Sequence, residues 1–227
     1  KYDYNLYEIG YINWKLIGNV TFQHNNAIMY CDSAYHFTKE NKMRAFGKVQ
    51  INKNNSMTLS GNALTYFGTE NKAHIKGDVI VVDKHMTLKT EEVYYDIHTN
   101  IASYPKKGTI IDTEKKINSR QGSYYANTNK FIFKDSVVVV GDDYYIMTEK
   151  MHYNTLNKIA SFYGPSYIIS NDKTIYCENG WYNIETDIAQ FKENNQITTK
   201  NYNIKSDSLY YKERASKKEI IKDLRGA

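Results

Sequence analysis

The sequence predicts an all-β fold, an elongated two-sheet β-jelly roll or β-solenoid of about seven repeats of ~29 residues. Three observations carry this. The octet AFGKVQIN (45–52), alternating small or apolar with polar side chains, returns in related form about every thirty residues. A tyrosine closing a second alternating run keeps the same period. Before residue 212 no segment sustains apolar residues at i, i+3, i+4 and i+7, the spacing a helix needs.

The first marker is a small or polar residue inside the alternation. It falls at Gly18 in KLIGNVTF, Gly47 in RAFGKVQI, Gly77 in HIKGDVIV, Asp135 in FIFKDSVVVV and Gly164 in SFYGPSYII, at spacings of 29, 30, 58 and 29. The 58-residue step holds one degenerate copy, placed near Pro105–Gly108. The second marker runs Tyr35, Tyr66, Tyr95, Tyr125, Tyr153, Tyr182 and Tyr211, at spacings of 31, 29, 30, 28, 29 and 29.

Each unit reads strand, turn, strand, turn. After the octet comes NKNNS, whose Asn and Ser tolerate tight backbone geometry, then the second strand MTLSGNALTYF. Its apolar parity shifts near Gly61: Met57, Leu59 and Gly61 share one phase, Leu64 and Tyr66 the other. A bulge or sharp bend there keeps both halves facing one core. Polar turns then recur as GTENK, KENK, HTN, NTNK and TLNK. Aligned, the copies stack an apolar column: Leu16, Val20, Phe22; Ala45, Val49, Ile51; Ile75, Val79, Val81; Phe133, Val137, Val139; Phe162, Ile168. The small residue between them marks where the strand bends or the facing sheet approaches.

Composition agrees. Of 227 residues, 22 are Tyr, which suits half-buried strands with wet tips. Only two are Pro and no Pro- or Gly/Ser-rich linker divides the chain, so residues 1–211 read as a single repeat domain. Residues 212–227 read as a charged tail, a short helix or the start of a further repeat. Apolar runs such as Val137–Val140 are far too short for a membrane-spanning helix. The net charge of +5 comes from lysines alternating with acids, a solvated surface with no nucleic-acid signature. Cys31 and Cys177 lie five repeats apart, on the order of 50 Å, which precludes a disulfide between them.

No catalytic or cofactor motif is present: there is no GxSxG, HExxH, GxxxxGK[ST] or GxGxxG, and no cofactor is expected. The six histidines read as surface residues, Asp142 and Asp143 as turn residues, and Asp32 as a hydrogen-bonded polar at a bend. A β-helix lyase needs acids and bases in register on adjacent rungs, and no such column exists. The interior column leaves two readings open, a dry packed core and a hydrophobic groove suited to acyl chains.

The stretches LIGNVTF, MYCDSAYHF, KMRAFGKVQI, AHIKGDVIVVD, NSRQGSYY, FYGPSYII and YCENGWYN resemble the OstA-like family. That family includes lipopolysaccharide transport protein A and the N-terminal periplasmic domain of lipopolysaccharide transport protein D, and the likeness is to its Bacteroidetes-type branch. It covers roughly residues 12 to 211. The resemblance implies a V-shaped jelly roll whose apolar slot holds the acyl chains of lipid A, and non-enzymatic lipopolysaccharide transport toward the outer membrane. It also implies a periplasmic location, partners with the same jelly roll, and head-to-tail self-association. Carried onto this sequence, the lipid-facing candidates are Val20, Phe22, Val49, Ile51, Val79, Val81, Val137, Val139 and Ile168, with Phe133 and Phe162 as bulky members at bends. Lys42, Lys48, Lys72 and Lys76 are candidates to meet phosphate headgroups. The alternatives are a structural or adhesive β-solenoid with a dry core, and a carbohydrate-active β-helix using exposed Tyr11, Tyr104 and Tyr163.

Overall fold

The computed structural model describes residues 2–8, 11–24, 27–53, 57–83, 86–112, 115–186 and 188–212. The tail expected over 212–227 lies outside them except for Lys212, which ends a strand. The chain falls into two compact units, Lys1–Thr113 and Glu114–Ala227.

The first unit is an antiparallel meander. Its strands are β1 (Tyr2–Glu8), β2 (Tyr11–His24), β3 (Ala27–Phe37), β4 (Lys42–Lys53), β5 (Met57–Phe67), β6 (Lys72–Val82), β7 (Thr87–Asp96), β8 (Ile101–Tyr104) and β9 (Gly108–Ile111). Each of the first seven pairs with the next, and β7 pairs with β8 near its end and with β9 near its start. Pro105, Lys106 and Lys107 thus divide one strand in two, at the place expected for the degenerate copy.

The second unit repeats the plan. It holds β10 (Lys115–Ser119), β11 (Gln121–Tyr125), β12 (Lys130–Gly141), β13 (Tyr144–Asn154), β14 (Ile159–Ser170), β15 (Lys173–Asn183), β16 (Ile188–Thr199) and β17 (Asn203–Lys212). β10 and β11 both pair with β12, and the later strands pair in sequence.

Two devices turn a corner in the middle of the long strands. In β4, Gly47 and Lys48 both take positive φ, +74° and +46°, and the pairing skips from Phe46↔Ala63 to Val49↔Gly61. One extra residue is thereby inserted and the strand bends. The same insertion recurs at Gly18–Asn19, Gly77–Asp78, Asp135–Ser136, Gly164 and Glu193–Asn194. Glycine is required at Gly47 for a second reason: a Cβ there would lie 2.4 Å from Asp32 Oδ2, since Asp32 sits over the bend. The intervening strands turn without an insertion. In β5, Leu59, Gly61 and Leu64 are buried while Asn62 and Ala63 between them both turn away from the core. The parity shift foreseen near Gly61 is therefore real, but the bulge belongs to its neighbours β4 and β6.

The corners fold each meander into two facing leaves. Lys173 pairs with Thr199, and Thr198 with Asn203, so in a flat sheet Tyr211 would lie eight residues, about 27 Å, farther along β17. Instead the Lys173 ammonium donates to the Tyr211 hydroxyl at 2.8 Å, which requires the strand tips to meet. In the first unit the interior between the leaves is filled by Val20, Met29, Cys31, Ala34, Met43, Ala45, Val49, Leu59, Leu64, Ile75, Val79 and Val93.

The polar turns stack as well. Asn41, Asn71, Asn100 and Asn129 each close a turn in the left-handed conformation, which Asn tolerates through its short polar side chain. The carbonyls of Asn41 and Asn71 accept the amides of Gly68 and Ile97, and those of Asn129 and Lys158 accept Thr155 and Ile184. This ladder is the physical content of the recurring NK and TN motifs.

The tyrosine marker needs one correction. Strand pairing aligns His36, Tyr66 and Tyr95 in the first unit and Tyr124, Tyr153, Tyr182 and Tyr211 in the second, so Tyr35 and Tyr125 each stand one residue out of register. Both are neighbours of the true position in aromatic-rich segments, where spacing alone does not distinguish them.

Candidate functional site

Between the leaves of the second unit lies a cavity of ≈ 490 Å³. That is within the span of roughly 300–1,000 Å³ usual for small-molecule sites. One leaf contributes Ile117, Val139, Ile146, Ile168 and Ile175, and the other Met151, Ala160, Phe162 and Phe191. Alternation puts these side chains inward on every strand, so the walls are apolar over their whole height. Behind them the corner is closed by Phe133 and Val137, both fully buried. The corner becomes polar along the chain: Ser166 takes the place of Val137, shares a 2.8 Å hydrogen bond with Thr148 and donates to the Gly164 carbonyl.

At the strand tips the lining changes character. Tyr153, Tyr182 and Tyr211 stand on one side, Lys115 and Lys173 on the other, with Asp143 and Asp172 in the adjacent turns. Lys115 lies 5.3 Å from the centre of the Tyr153 ring, and Lys173 lies 4.6 Å from that of Tyr211. The result is a deep apolar slot with an amphipathic mouth. Among the described residues no group of three or more His, Cys, Asp or Glu is placed to hold a metal.

This repeating two-leaf architecture coincides with a family match. The profile of the OstA-like protein family matches residues 12–149 and 145–207. The chain belongs to the OstA-like family. Among solved structures, this OstA-like chain is similar to LptH, described as the LptA-homologous periplasmic component of the conserved lipopolysaccharide transport device from Pseudomonas aeruginosa. The identity is 17%, the alignment covers 60% of this chain and 81% of that chain, and the TM-score is 0.29. A search of curated proteins finds no match.

Of the candidate residues, Val139, Phe162 and Ile168 line the cavity of the second unit, while Phe133 and Val137 are packed behind it. In the first unit Val20, Val49 and Val79 are core residues, and Phe22, Ile51 and Val81 are half-buried against that core. The column therefore faces inward throughout but meets open space only in part. Sequence reasoning missed the partner wall from β13 and β15, namely Ile146, Met151 and Ile175. It also missed the tyrosine and lysine mouth. The tyrosine period was the available signal, since a residue recurring at the strand tip of each copy lands on one line.

Several surface assignments change. Tyr104 is buried at 4% exposure, which removes it as a sugar-stacking residue; Tyr163 is exposed, and the Tyr11 side chain lies outside the described residues. Lys42 and Lys72 pair with Glu40 and Glu70 in their own turns, at 3.6 and 3.3 Å. His74 is not a free surface group: its Nε2 lies 2.9 Å from Glu92 Oε2, and its ring stacks on Tyr94 at 3.9 Å. Lys106 approaches the other Glu92 oxygen at 3.2 Å. The His74 hydrogen bond, with help from Lys106, holds the Glu92 carboxyl below its usual range against the opposing effect of burial. His152 is also enclosed; burial above all, then Lys130, Lys150 and Lys134, lowers its pKa to about 4. Cys31 and Cys177 are buried free thiols, both with raised pKa values from desolvation, Cys177 to about 12.

Proposed function

We propose that this OstA-like chain is a non-enzymatic periplasmic lipopolysaccharide-binding and transport protein that shields acyl chains in its apolar slot. The observation that carries the reading is the ≈ 490 Å³ cavity walled by apolar side chains from both leaves and reaching the strand tips. Family membership supports periplasmic lipopolysaccharide transport in general terms. Each Å² of acyl surface leaving water for the slot contributes ~25 cal/mol. Within the second unit successive copies offer similar walls, so a chain shifts between them with little change in free energy, and direction comes from an energy source elsewhere. Residues 1–211 act as a single functional domain. The partners in this reading are lipid A acyl chains, other transport components of the same fold and further copies of the chain.

A dry scaffold is the second reading, favoured in the first unit by Val79 and Ala45, both fully buried in close packing. Site-specific photo-crosslinking separates the two. Crosslinkers at Ile168, Phe162, Val139, Val49 and Val79 are compared with crosslinkers at the outward-facing Lys192 and Lys205. Capture of lipopolysaccharide at the inward positions alone is expected. A folded protein that captures none at any position would leave the scaffold reading standing.

A further inference from the structure

The mouth of the slot carries a recurring cross-leaf pair that the acyl-chain reading does not use. In the second unit Lys115 lies 5.3 Å from the centre of the Tyr153 ring and Lys173 4.6 Å from that of Tyr211, and the first unit repeats the pair with Lys53 5.9 Å from Tyr95. In each pair the lysine stands at a strand tip of one leaf and the tyrosine at a tip of the other, in the tyrosine column set by strand register. Lys173 goes further and donates to the Tyr211 hydroxyl at 2.8 Å. Its partners are a neutral phenol and a ring face, and among the described residues it forms no ion pair. A compact ammonium directly over an apolar cavity, with its charge uncompensated, is a receptor for an anion.

Resting on the slot reading, we propose that Lys173 is a headgroup subsite that binds a phosphoryl group of an amphiphile whose acyl chains fill the cavity beneath, the anion displacing the Tyr211 hydroxyl from Lys173. Asp143 and Asp172 line the same mouth, but Asp172 accepts from Ser170 at 3.2 Å within its own turn. Lys173 reaches across to Tyr211 on the other leaf, and neither carboxylate forms an ion pair with it among the described residues. Before ligand enters, the Lys–Tyr pairs hold the leaf tips together over the slot.

The test measures binding of radiolabelled bisphosphorylated lipid A and of the same lipid after removal of its phosphates, using the full chain and its Lys173→Gln, Lys173→Arg and Tyr211→Phe variants. The expected result is a preference for the phosphorylated lipid of roughly 10-fold or more. Lys173→Gln diminishes it, Lys173→Arg retains it, and Tyr211→Phe leaves it intact or larger. Binding of the dephosphorylated lipid reports that each variant is folded. Equal binding of both lipids in the unmodified chain would overturn the headgroup assignment while leaving the slot in place. Binding of neither would overturn both. A third arm adds millimolar inorganic phosphate: unchanged preference supports a lipid-borne phosphoryl group, and its loss would overturn the assignment in favour of a free-anion site.

Discussion

His152 makes acid stability of the second unit a quantitative test of the packing outside the slot. It lies on β13 between Ile132 and Ser161, with its ring 4.6 Å from that of Tyr163. Neither ring nitrogen finds a hydrogen-bond partner among the described residues. Burial, reinforced by three lysines, lowers its pKa from 6.5 to about 4. Above pH 6.5 the imidazole is neutral in folded and unfolded chains alike and contributes no pH dependence. Between 6.5 and 4 the unfolded chain takes up a proton that the folded chain refuses, so stability is lost as pH falls through this window and the loss levels off below it. The linkage relation puts the loss at pH 5 at about 2 kcal/mol relative to pH 7. His152→Phe preserves a ring against Tyr163 and removes the titration. Urea unfolding at pH 7 and pH 5 should show the unmodified chain losing about 2 kcal/mol more than the variant. Equal losses, or a His152 imidazole resonance titrating near 6.5, would refute the enclosure on which the calculation rests.

Three further outcomes follow from the corners and the walls. Gly18→Ala, with nothing within 4 Å of the added methyl, should cost about 1 kcal/mol for its backbone conformation alone; Gly47→Ala should cost more because Asp32 must also move, and equal costs in thermal unfolding would deny that contact. Phe133→Ala should cost about 3–5 kcal/mol, as befits a fully buried side chain, whereas Ile168→Ala, facing the cavity, should cost clearly less. The reverse order in chemical denaturation would mean that the second unit is solidly packed. Glu92 has a lowered pKa, so its stabilisation is present above the ordinary carboxyl range and is lost as pH falls through the folded value; Glu92→Gln should flatten the acid limb of the stability profile, and an unchanged limb would show the His74 contact to be inert.

The corners were legible in the sequence because their requirement is local. A left-handed pair selects Gly, Asn or Asp, and so Gly18, Gly47 and Gly77 announce themselves at a fixed period. The same holds for the left-handed turn residues Asn41, Asn71, Asn100 and Asn129. The site was less legible. Val79 and Val139 share one column and one alternation, yet one is sealed in core and the other borders open space. His74 and His152, read as surface groups because the histidines fall in different phases of different repeats, proved enclosed, because burial depends on what the adjacent strands and turns bring alongside.

Periodicity by itself determined that this chain is all-β, which side chains turn inward, and that its strands bend at Gly47 and its counterparts. Those properties follow from backbone sterics and a period of two, which act within a few residues. Only the tertiary structure decided how far the leaves are filled and which tips meet across them. The distance between Lys173 and Tyr211, or between Ile168 and the wall opposite, is set by the summed volumes of side chains from several strands. No single stretch of sequence contains that sum.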